Sequence, residues 1–280
     1  MRRPARPAAL LVGAALVGAA VLGTGLLLGA AACRSGRQRP PEEPENALTA
    51  DLVNYRNGLA LLKEGRPDEA IALLQRAKLS YPNDPSVWNA LGLAILYKKA
   101  YPDALKAFDQ ALYYDPSFVE AHNNKGFTLM EMGRYDDAEK EFRTVLDSPT
   151  SREKENARLN LGLLRARQHR WEEAEAQFTA IVSEDPKFLR AYRERGIVRV
   201  RRDDFRGGLE DLIRFLKQEP KDGEANYSAA LCLLAQGRRD LATRYMLRVV
   251  ESAPESEEAK KARRFLDGEG AAAPGPGGKP

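Results

Sequence analysis

Apolar and small residues recur along most of the chain with the spacing of amphipathic helices, and this pattern itself repeats every 34 residues. The repeated positions are 4, 7, 8, 20, 24, 27 and 32, held in residues 85–118 by Trp88, Leu91, Gly92, Ala104, Phe108, Ala111 and Pro116. The register recurs in six segments: 51–84, 85–118, 119–152, 155–188, 189–222 and 223–256. A period of this length predicts two helices per repeat, and one helix pair cannot bury its apolar face alone, so the pairs must stack.

The residue types at the repeated positions have physical reasons. Small residues at positions 8 and 20, such as Gly92 and Ala104, allow close approach of the two helices of a pair. Large apolar residues fill the space between pairs, and proline at position 32 ends the second helix. The pattern resembles that of the tetratricopeptide-repeat family. The resemblance implies an all-α fold, a right-handed superhelix of six helix-turn-helix repeats.

The segments that flank the repeats differ in composition. Residues 257–267 carry apolar residues on one helical face and charges on the other, which predicts a capping helix with a polar outer side. Residues 33–50 are rich in proline and charge, and residues 268–280 are rich in glycine and proline. Neither segment can bury a core, so we expect a flexible tether and a disordered tail.

The first 32 residues have the order of a secretory signal, with three arginines, an uncharged stretch over residues 8–32 and small residues before Cys33. This order resembles the lipobox of bacterial lipoproteins, which implies that Cys33 receives a lipid and becomes the mature N-terminus. Ala30 stands where that family usually has leucine. By resemblance, Arg34 after the cysteine favours the outer membrane. The alternative is an uncleaved membrane helix, because 25 uncharged residues are long enough to span a bilayer.

The charge balance argues against a nucleic-acid partner. The whole chain has a formal net charge of +4, but residues 1–32 contribute three arginines and no acid. The remainder, with 41 basic and 40 acidic residues, is almost neutral. A nucleic-acid-binding body would need a basic surface, and the composition does not supply one.

No constellation of catalytic or metal-binding residues is evident. His122 holds a packing position, His169 lies in a turn, and Cys232 lies among apolar helix residues as a buried, inert thiol. Acidic pairs such as Asp136 and Asp137 recur before position 20, where they favour the dipole of the second helix. We therefore expect no enzymatic activity, no metal and no cofactor.

The tetratricopeptide resemblance places a binding surface on the inner face, at positions 2, 5, 9, 12 and 13. Positions 9 and 12 are apolar in most repeats, and the first three repeats offer the predicted partner-binding groove: Tyr55, Leu59, Leu62, Leu93, Leu96, Tyr97, Asn123, Phe127 and Met130. In the fifth repeat, Arg190, Arg193 and Arg201 predict a secondary basic face. The alternative interpretation is that positions 9 and 12 partly pack against neighbouring helices.

A closer resemblance combines the lipobox, the short tether and six repeats with a local run of sequence. The run Asn-Asn-Lys-Gly-Phe at 123–127, a lengthened turn at 148–152 and Asn-Leu-Gly-Leu at 160–163 are similar to the type IV pilus biogenesis and stability lipoproteins, the pilotins of the pilus secretin. Lys125 departs from the tyrosine often found there.

That resemblance implies a function and a partner. The chain would bind the secretin subunit as a monomer and promote its assembly into the outer-membrane pore, with no chemistry of its own. The alternative is another envelope tetratricopeptide adaptor, in outer-membrane protein insertion, polysaccharide export or cytochrome maturation.

Overall fold

The computed structural model describes residues 45–149 and 153–268, and the prediction of an all-α fold is confirmed within them. This part of the chain forms thirteen α-helices and no strand. They are α1 (Glu45–Lys63), α2 (Pro67–Ser80), α3 (Pro85–Tyr97), α4 (Tyr101–Tyr114), α5 (Val119–Glu131), α6 (Tyr135–Asp147), α7 (Lys154–Arg167), α8 (Trp171–Glu184), α9 (Leu189–Arg201), α10 (Phe205–Leu216), α11 (Gly223–Ala235), α12 (Arg239–Ser252) and α13 (Glu257–Leu266).

The helices belong to two compact units, and the boundary falls between Met132 and Gly133. In the first unit, each of the helices α1 to α5 packs on the next one along the chain. The same consecutive packing runs from α6 to α13 in the second unit. Helices that pack on their sequence neighbours across short turns form antiparallel hairpins, as the 34-residue period predicts.

The close approach predicted at position 8 is confirmed in both units. A Cβ atom added to Gly92 would lie 2.5 Å from Cε1 of Phe108, and one added to Gly162 would lie 2.5 Å from Cε1 of Phe178. Both rings are fully buried. Glycine is therefore required at these two positions because the partner ring occupies the space of a side chain.

A hydrogen bond between successive repeats uses the carbonyl group of the proline at position 32. The side chain at position 4 of the next repeat reaches it: Trp88 Nε1 donates to Pro82 at 2.7 Å, and His122 Nε2 lies 3.0 Å from the oxygen of Pro116. The packing role of His122 is thus combined with a polar contact. The helix that precedes the proline cannot satisfy this carbonyl group, so the next repeat satisfies it instead.

At the start of the fifth repeat, a different side chain satisfies the carbonyl group of the preceding proline. Tyr192 holds position 4 and has no donor in the right place, and Arg214 from α10 donates to the carbonyl oxygen of Pro186 at 2.9 Å. The Arg214 guanidinium also lies over the Tyr192 ring, 4.2 Å from its centre. The substitution at position 4 is therefore compensated by a cation stacked on an aromatic ring.

The ends of the array differ in how well the sequence predicted them. Helix α1 begins at Glu45, so residues 45–50 continue the first helix and do not belong to the tether. Helix α13 confirms the capping helix, with Ala259, Ala262 and Phe265 buried. The predicted signal, Cys33 and residues 269–280 of the predicted disordered tail lie outside the described residues. Within 45–149 and 153–268, no helix is both long enough and apolar enough to cross a membrane.

Candidate protein-binding face

Four residues of the predicted groove are buried, so the prediction of an exposed groove is wrong for them. Leu62, Leu93, Leu96 and Met130 are no more than 9% exposed and lie in the core. The physical reason is that the first helices of successive repeats touch one another, α1 against α3 and α3 against α5. Position 12 and, in the second repeat, position 9 lie between them. For these residues the alternative interpretation, packing against neighbouring helices, is correct.

Four other members of the predicted groove remain within reach of a partner. Tyr55, Leu59, Tyr97 and Phe127 are half-buried, and all four pack against the same apolar cluster as Leu93 and Leu96. We call these four residues the inner strip. A half-buried apolar surface continuous with the core can bind another protein with little loss of side-chain entropy, because the core already restrains its side chains.

The polar residues of this region are buried beneath the inner strip. Asn123 is 3% exposed and makes polar contacts inside the protein, so it is not open to a partner as the sequence predicted. Asn124 donates from Nδ2 to Oδ1 of Asn89 at 2.9 Å, and this pair is also buried. The pairing of Asn89 with Asn124 could not be predicted from the sequence, because the two residues come from different repeats. A buried amide pair with matched donors and acceptors fixes the register of α3 against α5.

Two carboxylates lie near one end of the inner strip. Burial raises the pKa of the Tyr55 phenol, and the negative charges of Asp84 and, more weakly, Glu120 raise it further. Within the described residues neither acid has a salt-bridge partner, although Asp84 also accepts the amide of Ser86 at the start of α3. The inner strip is therefore apolar along its length and acidic at the Tyr55 end.

The predicted basic face of the fifth repeat is neutralised at Arg193. Arg193 lies 2.6 Å from a carboxylate oxygen of Glu194, 2.7 Å from one of Glu224 and 3.1 Å from one of Asp222. Burial lowers the pKa of Arg190, whose side chain is half-buried, and Arg201 is exposed. The predicted basic face does not account for this compensation, because two of the three acids that surround Arg193 belong to the following repeat and its entry turn.

A cluster of ion pairs joins α8, α9 and α10 and was not predicted from the sequence. Arg195 binds Asp211 through two hydrogen bonds of 2.8 Å, and both side chains are buried. Arg199 bridges from Asp211 to Glu175 at 2.9 and 2.8 Å. Arg195 stands at position 7, where the second and fourth repeats carry leucine. The sequence offered one signal of this cluster: an arginine at an apolar position, with an aspartate in the facing helix.

Two candidate sources of chemistry were considered in the sequence, a metal site and the Cys232 thiol. Among the described residues, no group of three histidine, cysteine, aspartate or glutamate side chains could hold a metal ion. Cys232 is completely buried, as predicted, and burial raises the pKa of its thiol to about 12, which disfavours the reactive thiolate.

Comparison with protein families identifies the class. Models of the tetratricopeptide repeat match residues 55–117 and 123–187, 161–228, and 224–256. The helical array is therefore built of tetratricopeptide repeats, a fold that serves as a scaffold for binding other proteins.

Solved structures with this fold include PilW and PilF. The crystal structure of PilW, described as a widely conserved type IV pilus biogenesis factor, is 21% identical over 76% of this chain and 98% of its own, with a TM-score of 0.67. PilF of Pseudomonas aeruginosa is 18% identical over 79% of this chain and all of its own, also with a TM-score of 0.67. At these identities the likeness is one of fold.

Among curated proteins, the human protein O-mannosyl-transferase TMTC3 is 27% identical over 162 residues. The match covers 53% of this chain but only 18% of the transferase, so the chain spans less than a fifth of that relative's length.

Proposed function

We propose that this protein is an exported scaffold, held on the outer membrane through a lipid on Cys33, that binds the type IV pilus secretin subunit and promotes its assembly. The order of signal, small residues and cysteine supports the anchor. The local resemblance over residues 123–163 and the shared fold with PilW and PilF support the pilus system. The proposal includes no chemical reaction, because the described residues form a scaffold fold.

The inner strip is the observation that carries the binding function. Its four apolar side chains are half-buried and all pack against one apolar cluster. Contiguous apolar surfaces of this kind mark interaction sites and accept an amphipathic helix or strand of a partner. Asp84 and Glu120 add a preference for a basic side chain at the Tyr55 end of that segment.

The experiment that tests the proposal replaces the two most informative residues of the inner strip. We expect Tyr97→Ser with Phe127→Ser to abolish secretin multimers in cells, because the apolar contact area is lost. The matched control is Leu163→Ser with Ile197→Ser, which changes half-buried residues at position 9 of the fourth and fifth repeats. Circular dichroism of both purified variants checks that the helical fold is retained.

Two different results would exclude the inner strip as the binding site and the pilus system as the function. Normal multimers in a folded Tyr97→Ser, Phe127→Ser variant would exclude the inner strip as the secretin site. Normal multimers in a strain that lacks the whole protein would exclude the pilus function itself.

A further inference from the structure

Five exposed apolar side chains of the first unit lie at the same end of its helix pairs. Eight large hydrophobic residues are exposed in the described chain, and five of them belong to this unit's α1, α2 and α4. They are Leu52, Val53, Leu79, Tyr113 and Tyr114, which we call the apolar edge. Leu79 and Tyr113 are the most exposed, at 79% and 75%.

The topology of the helix pairs brings these five residues to the same end of their helix pairs. Helices α1 and α2 are joined by only three residues and pack along their length, so the first half of α1 lies beside the end of α2. Leu79 lies twelve residues after the start of α2, level with Leu52 and Val53. Tyr113 lies twelve residues after the start of α4, the equivalent place in the next hairpin.

The repeat architecture does not require apolar residues at this place. Leu79 and Tyr113 both hold position 29, and the second unit has Asp147, Ser183, Lys217 and Glu251 there. The rings of Tyr113 and Tyr114 also contact each other edge to face, with centres 5.2 Å apart. The fold therefore tolerates polar residues at position 29, and the apolar edge belongs to the first unit alone.

The chain itself indicates what could cover this edge. Helix α1 starts at Glu45, twelve residues after Cys33 and the uncharged stretch 8–32. Twelve residues span at most about 40 Å when fully extended. Whether Cys33 carries a lipid or residues 8–32 cross the bilayer, the membrane lies within this distance of the start of α1. Leu52 and Val53 follow on that same helix, about two turns further on.

We propose that the apolar edge rests on the lipid surface, an inference that depends on the membrane anchor in the proposed function. Leucine and tyrosine side chains are suited to the boundary between acyl chains and headgroups, where the ring is buried and the hydroxyl stays hydrated. Arg76 and Lys78 flank Leu79 and offer positive charge to anionic headgroups. The tether makes the contact intramolecular, so a weak intrinsic affinity is sufficient. The contact fixes the orientation of the first unit on the membrane.

The test places an environment-sensitive probe on the edge of the full-length chain. Tyr113→Cys is labelled with a nitrobenzoxadiazole dye after reconstitution into vesicles of phosphatidylethanolamine and phosphatidylglycerol. Lys217→Cys is the matched control, exposed and at the same position of the fifth repeat. Buried Cys232 does not compete for the dye, and the wild-type chain labelled in parallel gives the background of Cys33.

We expect the probe at residue 113 to be several-fold brighter than the probe at 217, blue-shifted, and quenched by spin-labelled lipids. Equal, water-like spectra at both positions on chains that float with the vesicles would overturn the lipid contact and leave the anchor in place. Chains that do not float at all would overturn both. A change at 113 that appears only after secretin is added would identify a protein contact and also overturn the proposal.

The secretin function is tested separately from the edge. Leu79→Asp with Tyr113→Asp should reduce the brightness of a probe at Leu52→Cys to that of the probe at 217, because the remaining edge is too small and too charged to enter the interface. The same variant should still form secretin multimers if the inner strip binds the secretin. A bright probe at residue 52 in this variant would contradict the role of Leu79 and Tyr113.

Discussion

At the scale of single residues, one turn position shows how backbone geometry constrains the sequence. Position 15, between the two helices of a pair, has a left-handed backbone in all six repeats, with φ between 59° and 76°. Gly65, Gly133 and Gly237 suit this geometry, and the equivalent residues are Lys99, His169 and Asp203. The sequence analysis correctly placed His169 in a turn. It could not identify the strain at Lys99, because a lysine gives no signal of a positive φ.

We predict that Lys99→Gly increases the free energy of unfolding by about 0.5–1 kcal/mol, because glycine removes the steric cost of the left-handed conformation. The reciprocal control is Gly237→Lys, at a turn where an added Cβ meets no atom within 4 Å, so that only backbone strain is introduced. It should destabilise by a similar amount. Urea denaturation measures both variants, and a lower midpoint for Lys99→Gly would contradict the strain.

At the scale of helices, the insertion between α6 and α7 is bridged by a buried ion pair. Arg165 of α7 binds Glu139 of α6 through two hydrogen bonds of 2.5 and 2.9 Å, and its side chain is 7% exposed. These hydrogen bonds hold the pKa of the Glu139 carboxyl below its usual 4.5. A carboxyl group whose pKa is lowered by folding stabilises the protein above its unfolded pKa, and the contribution disappears as the pH falls through the folded value.

We predict that Glu139→Gln destabilises the protein by about 1–3 kcal/mol at pH 7, because buried Arg165 loses its closest opposite charge and keeps only Glu173, 3.4 Å away. The difference from wild type should shrink as the pH falls below 4.5, where Glu139 itself becomes protonated. Glu210→Gln is the control, since Glu210 forms only an exposed pair with Arg206. A wild-type to Glu139→Gln difference that stays constant from pH 7 to pH 3 would show that the ion pair does not stabilise the α6–α7 junction.

At the scale of the whole molecule, each helix touches mainly its neighbours along the chain. Stability in such an array is close to a sum of local terms, so damage at one end should stay near that end. The capping helix α13 is the clearest place to test whether damage stays local. Phe265 of α13 is 8% exposed, joins the apolar cluster of α11 and α12, and lies 4.8 Å from the guanidinium of Arg239.

We predict that Phe265→Ala speeds hydrogen exchange in α11, α12 and α13 while exchange in α3 and α4 stays as in wild type. Loss of a buried phenylalanine costs about 3–5 kcal/mol, enough to fray a terminal repeat. Leu247→Ala, which removes a side chain that is 46% exposed, is the control and should leave exchange unchanged. A uniform increase in exchange across both units would mean that the array unfolds as a single cooperative block.

The sequence alone determined the helices, the repeat register and the capping helix, because these depend on periodicities within one repeat. It also placed Gly92 against the second helix of its pair, since a small residue at that position has one structural use.

Only the tertiary structure decided which side chains a partner can reach. Leu96 and Met130 lie in the core, whereas Tyr97 and Phe127 are half-buried, because burial depends on how closely successive repeats approach. The positive charge of Arg193 is compensated by Asp222 and Glu224, acids of the following repeat and its entry turn. The apolar edge arises for the same reason: antiparallel pairing brings together residues that are far apart in sequence.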